Sequence, residues 1–522
     1  MTTRRVYVNG LAWNGQRARP ADVHVAGGVI EAVTTPGALP AAKGSEIHDL
    51  DGGALLPGFG DAHAHPLIGG LEDRYAPIRG SRTVAEVRDR VRAYARAHPD
   101  QRLIYGEGFE LTLAPGGVFR AAWLDEVVAD RPVVLRSSDI HTVWCNTAAL
   151  RRAGLLHLAD DPVDGRLDRD PDGTPCGTLR EWGAFQPALD LVPAPGPADK
   201  TLALRRASRR LAAAGVTWVQ DAWVEAADVP AYVDAARTGG LSTRMNLALR
   251  ADPHTWREQQ EHFRSLRHDT LSDGVSVRTV KFFADGIVEG GTAALLDPYL
   301  DADCCGLLNW EPAELAAAVT AFDADGFQVH IHAMGDAGVR TALDAVEAAT
   351  RANGPRDRRP VLTHLQLVDP ADLPRFSELN VIAVFQPHWA RPDAVMTDLT
   401  LPRLGDERGD RRYAIADMLA TGATVAFASD WPITRPEPLH ILSTAATRGG
   451  WLPDQRVGVA RGVRCYTSGT AHLAFEERTQ GSIRPGMRAD LVHLGADPTG
   501  IDPAALPAVP VRGTWLAGRR TA

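Results

Sequence analysis

One stretch decides the fold of this chain: Leu55-Leu56-Pro57-Gly58-Phe59-Gly60-Asp61-Ala62-His63-Ala64-His65-Pro66. It is typical of a short apolar strand that runs into two histidines and stops at a proline. Because residues i and i+2 of a strand project to one face, His63 and His65 point the same way from its carboxyl end. Two converging imidazoles can bind a divalent metal if other segments supply the remaining ligands. The alternative is a pair of solvated or hydrogen-bonded histidines.

The composition is that of an ordinary globular protein with more than one domain. Of its 522 residues, 44% are hydrophobic and 23% are charged, and the net charge is −9. The sequence has no basic block and no apolar run of about 18 residues, which argues against a nucleic-acid or membrane partner. Its first residues lack the apolar core of a signal peptide, and its five cysteines include no CxxC pair. We therefore predict a cytoplasmic protein.

Both ends of the chain have the pattern of β structure. Short strands separated by Gly, Asn and Pro turns fill the first 55 residues, for example Val6-Tyr7-Val8 and Val29-Ile30-Glu31-Ala32-Val33. Near the other end, residues 481–494 contain a turn followed by a strand, and residues 511–518 contain another strand. We predict one small composite β-sandwich domain, built from residues 1–55 and 470–522.

Between these ends, strands alternate with Ala-rich helical stretches. Repeated βα units indicate a parallel sheet, either closed as a barrel or doubly wound. With the His63 strand counted first, the strands number eight, which favours an α/β fold with a TIM-like (β/α)8 barrel over residues 56–469. The later strands are predicted at residues 216–221, 244–249, 277–283, 327–332, 360–364, 381–386 and 424–430. A long interval follows the first strand, and residues 70–200 are predicted to form an inserted α+β subdomain.

Polar residues stand at the ends of the later strands. His332 ends strand five, His364 ends strand six, and Asp430 closes the apolar run of strand eight. In a barrel, the carboxyl ends of all strands surround one mouth, where the chemistry takes place. Nitrogen and oxygen ligands without a thiolate suit zinc, with manganese, iron or nickel as alternatives. We predict one or two divalent ions per chain, held by His63, His65, Lys281, His332, His364 and Asp430.

Lys281 lies in the apolar fourth strand, where a charged ammonium is unfavourable unless it is paired or modified. A desolvated lysine has a depressed pKa and can react as the free amine. Carboxylation by carbon dioxide would make it an anionic oxygen ligand able to bridge two metals. The alternative is an ion pair between Lys281 and Asp285 or Glu289.

Such a site is suited to hydrolysis. Solvent on a divalent metal becomes a hydroxide-like nucleophile near neutral pH. Asp430 is the predicted general base, which holds the water and later passes a proton to the leaving nitrogen.

Several motifs resemble those of the amidohydrolase superfamily, and of its amidohydrolase-3 branch, which includes N-substituted formamide deformylase-like proteins. The opening Pro57-Gly58-Phe59-Gly60-Asp61-Ala62-His63-Ala64-His65 matches the superfamily's first motif. The later motifs are residues 280–286, 330–336, 362–364, 428–432 and 481–494. The similarity covers nearly the whole chain.

The resemblance implies a TIM-like barrel beside a composite β domain, and metal-dependent hydrolysis of a C–N bond other than a peptide bond. By position, the residues that match the site residues of the superfamily are His63, His65, His332, His364 and Asp430. Lys281 carries over as well, although members differ in metal count and in whether this lysine is carboxylated. Without that modification, one metal on the histidines and Asp430 would suffice.

Candidates for substrate contact come from two further segments. In the insertion, Asp139 and His141 alternate onto one face of an extended segment, and Trp144 could wall a cavity. A structural turn network is the alternative for this segment. Further candidates are Gln386 and His388 on strand seven, together with Trp431 and Glu181.

Three functions stay open at the level of sequence. The first is an amidase or deformylase-type hydrolase with a small amide-type substrate. The second is a deaminase, lactonase or cyclic-amide hydrolase with the same site. The third is a catalytically silent binding protein, against which the full set of polar strand ends argues. For oligomeric state, we allow for a homodimer.

Overall fold

The computed structural model describes residues 4–162, 164–270 and 274–522. Within these residues, eight parallel strands form the barrel sheet, in which each strand pairs with the next along the chain. The strands are Phe59–Ala64, Val216–Val224, Arg244–Arg250, Val275–Phe283, Gln328–Ala333, Val361–His364, Ile382–Phe385 and Val425–Phe427. The first and last strands meet where the Asp430 amide donates to the His63 carbonyl at 2.8 Å. The predicted (β/α)8 barrel is confirmed.

Helices connect the barrel strands, and their apolar faces explain why they pack on the sheet. In Asp336–Asn353, for example, Val339, Leu343 and Val346 recur every three or four positions and are buried. The α-helices are Pro66–Leu71, Val84–Ala97, Ala121–Asp125, Thr147–Arg152, Trp182–Leu189, Pro197–Ala213, Val229–Arg237, Trp256–Asp269, Pro312–Ala324, Asp336–Asn353, Leu373–Glu378, Leu401–Gly409, Ile415–Ala420, Pro438–Thr447, Val459–Tyr466 and Ser468–Leu473. None of the helices in the described ranges is long and apolar enough to cross a membrane.

A buried polar layer links strands two to five of the barrel. Asn246 donates to Gln220 at 2.8 Å and to Thr279 at 2.8 Å, and Thr279 donates to Gln328 at 3.1 Å. These four side chains are buried, so their mutual hydrogen bonds are needed to offset the loss of water. The layer fixes the relative positions of strands whose other ends carry Lys281 and His332.

Two further sheets are built from the ends of the chain. The N-terminal sheet consists of Arg4–Val8, Asp22–Ala26, Val29–Thr34 and Glu46–Asp49. The shared sheet takes strands from both ends, namely Leu11–Trp13, Ala18–Pro20, Ala54–Pro57, Leu491–Leu494, Val511–Leu516 and Arg519–Arg520. Tyr7 of the first sheet and Trp515 of the second pack edge to face, with ring centroids 5.2 Å apart.

The opening stretch forms two strands instead of the single strand that we predicted. Ala54–Pro57 pairs within the shared sheet, whereas Phe59–Ala64 is the first barrel strand. The change of partner occurs at Gly58, whose amide donates to the Asp490 carbonyl at 2.8 Å. Both strands are fully buried, so the apolar pattern runs through the junction without a break. Pro66 begins a helix directly after His65.

The long interval after the first barrel strand contains the insertion sheet. Its strands are Ile104–Phe109, Val133–Ser137, Thr142–Cys145, Arg166–Arg169 and Pro175–Arg180. The turn between Val133–Ser137 and Thr142–Cys145 carries Asp139 and His141. This turn borders the same cavity as the barrel histidines, so the insertion contributes part of the site.

Candidate metal centre

The carboxyl ends of four barrel strands bring the predicted metal ligands together. His63 lies near the end of strand one with His65 just beyond it, His332 is on strand five, and His364 is the last residue of strand six. Asp430 follows strand eight. All five side chains are buried. His364 and Asp430 have φ angles of 79° and 56°, a left-handed conformation that a non-glycine residue adopts when the surrounding structure holds it there.

The ligand atoms converge on Asp430. One atom each of His63, His364 and Asp430 can be chosen so that all lie within 4.8 Å of one another. Asp430 Oδ1 is 3.0 Å from His65 Nε2 and 3.5 Å from His63 Nε2. The ring of His332 lies beside that of His364, with centroids 4.5 Å apart.

These residues fit a divalent metal. Burial lowers the pKa of His63, His332 and His364 well below the ordinary value, with the Lys281 charge or a neighbouring histidine acting in the same direction. The imidazoles are therefore neutral and can donate electron pairs to a metal. Asp430 Oδ1 is buried and makes no hydrogen bond within the described part of the chain. A buried carboxylate oxygen beside neutral imidazoles calls for a cation.

Lys281 is buried at the same end of the barrel. Its Nζ has no hydrogen-bond partner among the described residues, and burial lowers its pKa to about 7 against the opposing attraction of Asp430. The ion pairs that we considered for Lys281 are not formed among those residues. Asp285 accepts hydrogen bonds from the amides of Met334 and Gly335 at 3.0 and 2.9 Å. Glu289 is likewise engaged, as an acceptor for the side chains of Gln366 and Thr400.

Several neighbours orient the ligands. His330 Nε2 lies 2.8 Å from His63 Nδ1, so the two rings share a hydrogen bond that leaves His63 Nε2 turned toward Asp430. We did not predict this contact, although His330 and His332 lie on the same face of strand five. Gln386, a predicted substrate contact, instead places its Oε1 3.1 Å from His364 Nδ1.

Hydrogen bonds to the Asp61 side chain also join strands one and eight. Asp61 accepts hydrogen bonds from the Ser429 amide at 3.0 Å and from the Ser429 hydroxyl at 2.5 Å, and also from the His63 amide at 3.2 Å. Because Ser429 precedes Asp430, this carboxyl group holds His63 and Asp430 in register. The Asp61 of the opening motif therefore positions two ligands.

A cavity of about 330 Å³ opens onto the metal centre. Its walls are largely apolar, with Ile140 from the insertion, Phe283 at the end of strand four, Ile287 after it, and Met396 and Leu399 from the segment after strand seven. Enclosed apolar walls with a few polar groups are typical of small-molecule sites.

Comparison with known proteins agrees with this geometry. Residues 46–522 match the model of the amidohydrolase family. The chain belongs to the amidohydrolase family. It is 30% identical over 469 residues to "Protein LONG AFTER FAR-RED 3" of Arabidopsis thaliana, a match that covers 86% of this chain and 79% of that protein.

Two further relatives bear on the chemistry of this amidohydrolase. The N-substituted formamide deformylase of Arthrobacter pascens is 26% identical over 523 residues, with 95% of this chain and 94% of the relative covered. An uncharacterized metal-dependent hydrolase from Pyrococcus furiosus superposes with a TM-score of 0.74 at 25% identity, over 95% of this chain and all of the other. This amidohydrolase is therefore a hydrolase with a site suited to a divalent metal.

Three of the predicted contact residues line the cavity of the amidohydrolase. Asp139 accepts hydrogen bonds from the Ser137 hydroxyl and, at 2.9 Å, from the His141 amide. His388 lies 3.1 Å from the Thr444 hydroxyl, and burial together with the Arg391 charge lowers its pKa to about 3. His388 is therefore neutral on the cavity wall.

His141 has a carboxylate partner. Its Nδ1 lies 2.8 Å from Glu181 Oε2, and Glu181 Oε1 accepts a hydrogen bond from Thr292 at 2.6 Å. Burial alone would lower the pKa of His141, but Glu181 outweighs that effect and the pKa is raised. Glu181 adopts a φ of 61°, as expected for a residue held in place by its surroundings. The pair holds the His141 ring at the cavity wall.

The structure places two predicted contact residues away from this cavity. Trp144 is fully buried in the core of the insertion, where it packs on Phe119 and donates to the Arg120 carbonyl at 3.0 Å. Trp431 turns to the other side of its backbone, against Gly69 and below the guanidinium of Arg210. In both cases the apolar ring fills a neighbouring core instead of the cavity.

Proposed function

We propose that this amidohydrolase cleaves a C–N bond of a small, non-peptide amide-type substrate, with zinc as its metal and Asp430 as general base. The observation that carries the proposal is the set of neutral histidines around the buried Asp430 carboxyl group at the end of an apolar cavity. The similarity to an N-substituted formamide deformylase over nearly the whole chain supports an amide-type substrate.

The donor set indicates which residues would hold the metal. His63, His65, His332, His364 and Asp430 supply nitrogen and oxygen ligands, the combination that zinc prefers. When bound, zinc supplies a lowered pKa for water and polarisation of the substrate carbonyl. Lys281 is a further candidate ligand if its amine adds to carbon dioxide, which forms an N–C bond and releases one proton.

The remaining steps belong to side chains of the chain itself. Asp430 Oδ1 accepts the proton of the attacking water and returns it to the nitrogen of the breaking C–N bond, so that this nitrogen departs as an amine. His65, at 3.0 Å from Asp430 Oδ1, helps to fix the carboxylate orientation. The apolar walls exclude bulk water, and His141 presents its free nitrogen to the substrate.

The test combines metal analysis with turnover of N-formyl, N-acyl and cyclic amides. Asp430→Asn should retain the fold and much of the metal, and kcat should fall by about 10²–10⁴ with little change in KM, because proton transfer is lost. His63→Ala should lose metal and activity together. His262→Ala, on the exposed face of Trp256–Asp269, is the matched control and should behave as the parent.

Two results would contradict the proposal. If the Asp430→Asn variant holds its metal and its kcat is within a few-fold of that of the parent, another residue is the general base. His388 would be the next residue to test. If the fully metal-loaded protein hydrolyses esters or lactones but no amide, the bond that it cleaves is not the proposed C–N bond.

A further inference from the structure

Glu289 is a carboxylate of the cavity wall with one anchored and one free oxygen. Glu289 follows strand four, and its Oε1 accepts hydrogen bonds from Gln366 Nε2 at 2.7 Å and from the Thr400 hydroxyl at 2.6 Å. Its Oε2 makes no hydrogen bond or ion pair with any residue that the structure describes. Glu289 is half-buried and lines the cavity, so this free oxygen is available to a bound molecule.

The described residues of the cavity wall include no direct cationic partner for Glu289. Among the described residues that line the cavity, Arg391 is the only arginine or lysine, and its Nε donates to Asp393 at 2.9 Å. Glu110 and Asp139 add further carboxyl groups to the same walls. Apart from the metal centre, the cavity therefore carries an excess of acidic groups.

Two arginines outside the cavity wall act on Glu289 through longer-range attraction, and neither contacts it directly. Arg403 Nε lies 3.4 Å from an oxygen of Asp301, and Arg412 donates to the Gly409 carbonyl at 2.9 Å. Neither forms an ion pair with Glu289 within the described ranges. A buried or half-buried carboxylate without a direct cation favours a cationic ligand.

Tyr413 provides a second, independent indication of a ligand. It is 2% exposed and lines the cavity, and its amide donates to the Gln366 carbonyl at 2.9 Å, which places it beside the anchor of Glu289. Its hydroxyl makes no hydrogen bond in the part of the chain that the structure covers. A phenol oxygen and a carboxylate oxygen at one end of an apolar cavity are both acceptors for N–H donors.

We propose that the substrate of this amidohydrolase carries a primary ammonium group that binds Glu289 Oε2 while its amide lies at the metal centre. An ammonium suits the site better than a guanidinium, because a guanidinium fork needs two carboxylate oxygens and Oε1 is already occupied. Ile287 and Leu399 supply an apolar wall for the carbon chain between the two groups. This inference rests on the proposed amide hydrolysis.

The experiment uses zinc-loaded enzyme and a matched pair of substrates. One is a diaminoalkane formylated on one nitrogen, and the other is the N-formyl alkylamine of equal length with a terminal methyl group. The ammonium substrate should have a kcat/KM about tenfold to a hundredfold higher, mainly through KM, because a hydrogen bond to a charged group is lost in the neutral one. Equal values for the pair would overturn the proposal.

Glu289→Gln tests the residue itself. The glutamine keeps an oxygen for Gln366 and Thr400 but places an amide in the position of Oε2. The ratio of kcat/KM for the ammonium substrate to kcat/KM for the neutral substrate should fall to about one. The control Glu261→Gln, on an exposed helix face, should retain the preference. An equal loss for both substrates in Glu289→Gln would contradict recognition of the ammonium group.

A binding measurement separates this inference from the proposed reaction. If no formamide is hydrolysed, calorimetric titration of the zinc-loaded protein with hexylamine and with hexanol still tests the ammonium site. If the parent binds the amine more tightly than the alcohol and Glu289→Gln abolishes this difference, the inference is supported. The enzyme would then cleave a different bond of an ammonium-bearing substrate. Equal binding of amine and alcohol, or amine binding that persists in Glu289→Gln, would overturn it.

Discussion

Burial changes the chemistry of Lys281. Only three lysines occur in the sequence, at positions 43, 200 and 281. Lys43 is exposed and Lys200 pairs with Asp228, whereas Lys281 is buried with a pKa lowered to about 7 by burial. A substantial fraction of the Lys281 amine is therefore unprotonated near neutral pH and able to add to carbon dioxide.

We expect Lys281 to be carboxylated in the metal-loaded enzyme. Carbon-13 NMR in labelled bicarbonate should show one carbamate signal, which Lys281→Met removes and Lys43→Met leaves in place. The absence of that signal from the parent at full metal occupancy would favour a site with one metal and an unmodified amine.

Asp221 should make stability depend on pH. It is buried on the second barrel strand, where burial raises its pKa to about 8 despite a 2.5 Å hydrogen bond from Tyr232. In the unfolded chain the pKa returns to its ordinary value of 3.8. Between these values the folded state holds more protons than the unfolded state, so the free energy of unfolding falls as pH rises. The contribution is fully present below pH 3.8 and is lost as pH passes about 8.

Asp221→Asn should therefore flatten the pH dependence of stability. Between pH 5 and 7 the parent should lose about 2.5 kcal/mol through this group, and the variant should not. Denaturation midpoints across that range measure the effect. Tyr232→Phe is the matched control, since it removes the hydrogen bond but keeps the titrating carboxyl group. A variant with the pH dependence of the parent would show that Asp221 does not titrate in this range.

The types of residue at the ends of the predicted strands were enough to predict a set of candidate metal ligands. The predicted residues His63, His364 and Asp430 lie within ligand distance of one another. The contacts of His330 and Glu289 were not predictable, because each depends on a partner from a distant strand or loop. Alternation along one strand predicts the face of the strand on which a side chain lies. It does not predict which side chain of another strand or loop that side chain contacts.

Gly58 marks the point where the chain passes from the shared sheet into the barrel. A Cβ atom at Gly58 would lie 2.3 Å from the side chain of Thr217 on the second barrel strand. The glycine is needed for close approach of two backbones, since it has no positive φ angle.

Gly58→Ala should destabilise the protein by about 1–3 kcal/mol, the usual cost of overpacking a core. Thr217→Ala should partly relieve the clash, because it removes the two closest atoms. Chemical denaturation of both single variants and the double variant gives the coupling energy between the positions. Additive effects would indicate that the backbone moves at Gly58 and that Thr217 is not the obstacle.

The elements were predictable to the extent that their pattern was distinct. Each barrel strand was predicted close to its position because short apolar runs alternate with helices. The division at Gly58 was missed because Ala54–Pro57 and Phe59–Ala64 are both buried on two faces, so no change of periodicity separates them. Alternation along Thr142–Cys145 places Trp144 on one face of the strand. It does not show whether that face packs in the core of the insertion or borders the cavity.

The two ends of the chain depend on each other. Leu491–Leu494 pairs with Ala54–Pro57 on one side and Val511–Leu516 on the other, so the shared sheet needs both ends. Trp515 is 1% exposed and contacts the N-terminal sheet through Tyr7 and through His48, at a centroid distance of 4.8 Å. One aromatic side chain from the end of the sequence thus holds together two sheets that begin at its start.

We expect Trp515→Ala to loosen both ends together and to leave the barrel intact. Truncation of a buried tryptophan costs about 3–5 kcal/mol, and the loss falls on the packing between the N-terminal and shared sheets. Hydrogen exchange should show that residues 4–50 and 491–520 lose protection in parallel, because their strands form one cooperative unit. Barrel strands and metal content should be unchanged, since the ligands lie at the carboxyl ends of the barrel strands, whereas the shared sheet joins the barrel at the amino end of the first strand. Leu39→Ala, at a side chain that is 45% exposed, is the control. Loss of protection confined to residues 491–520 would show that the N-terminal sheet is stable without its partner.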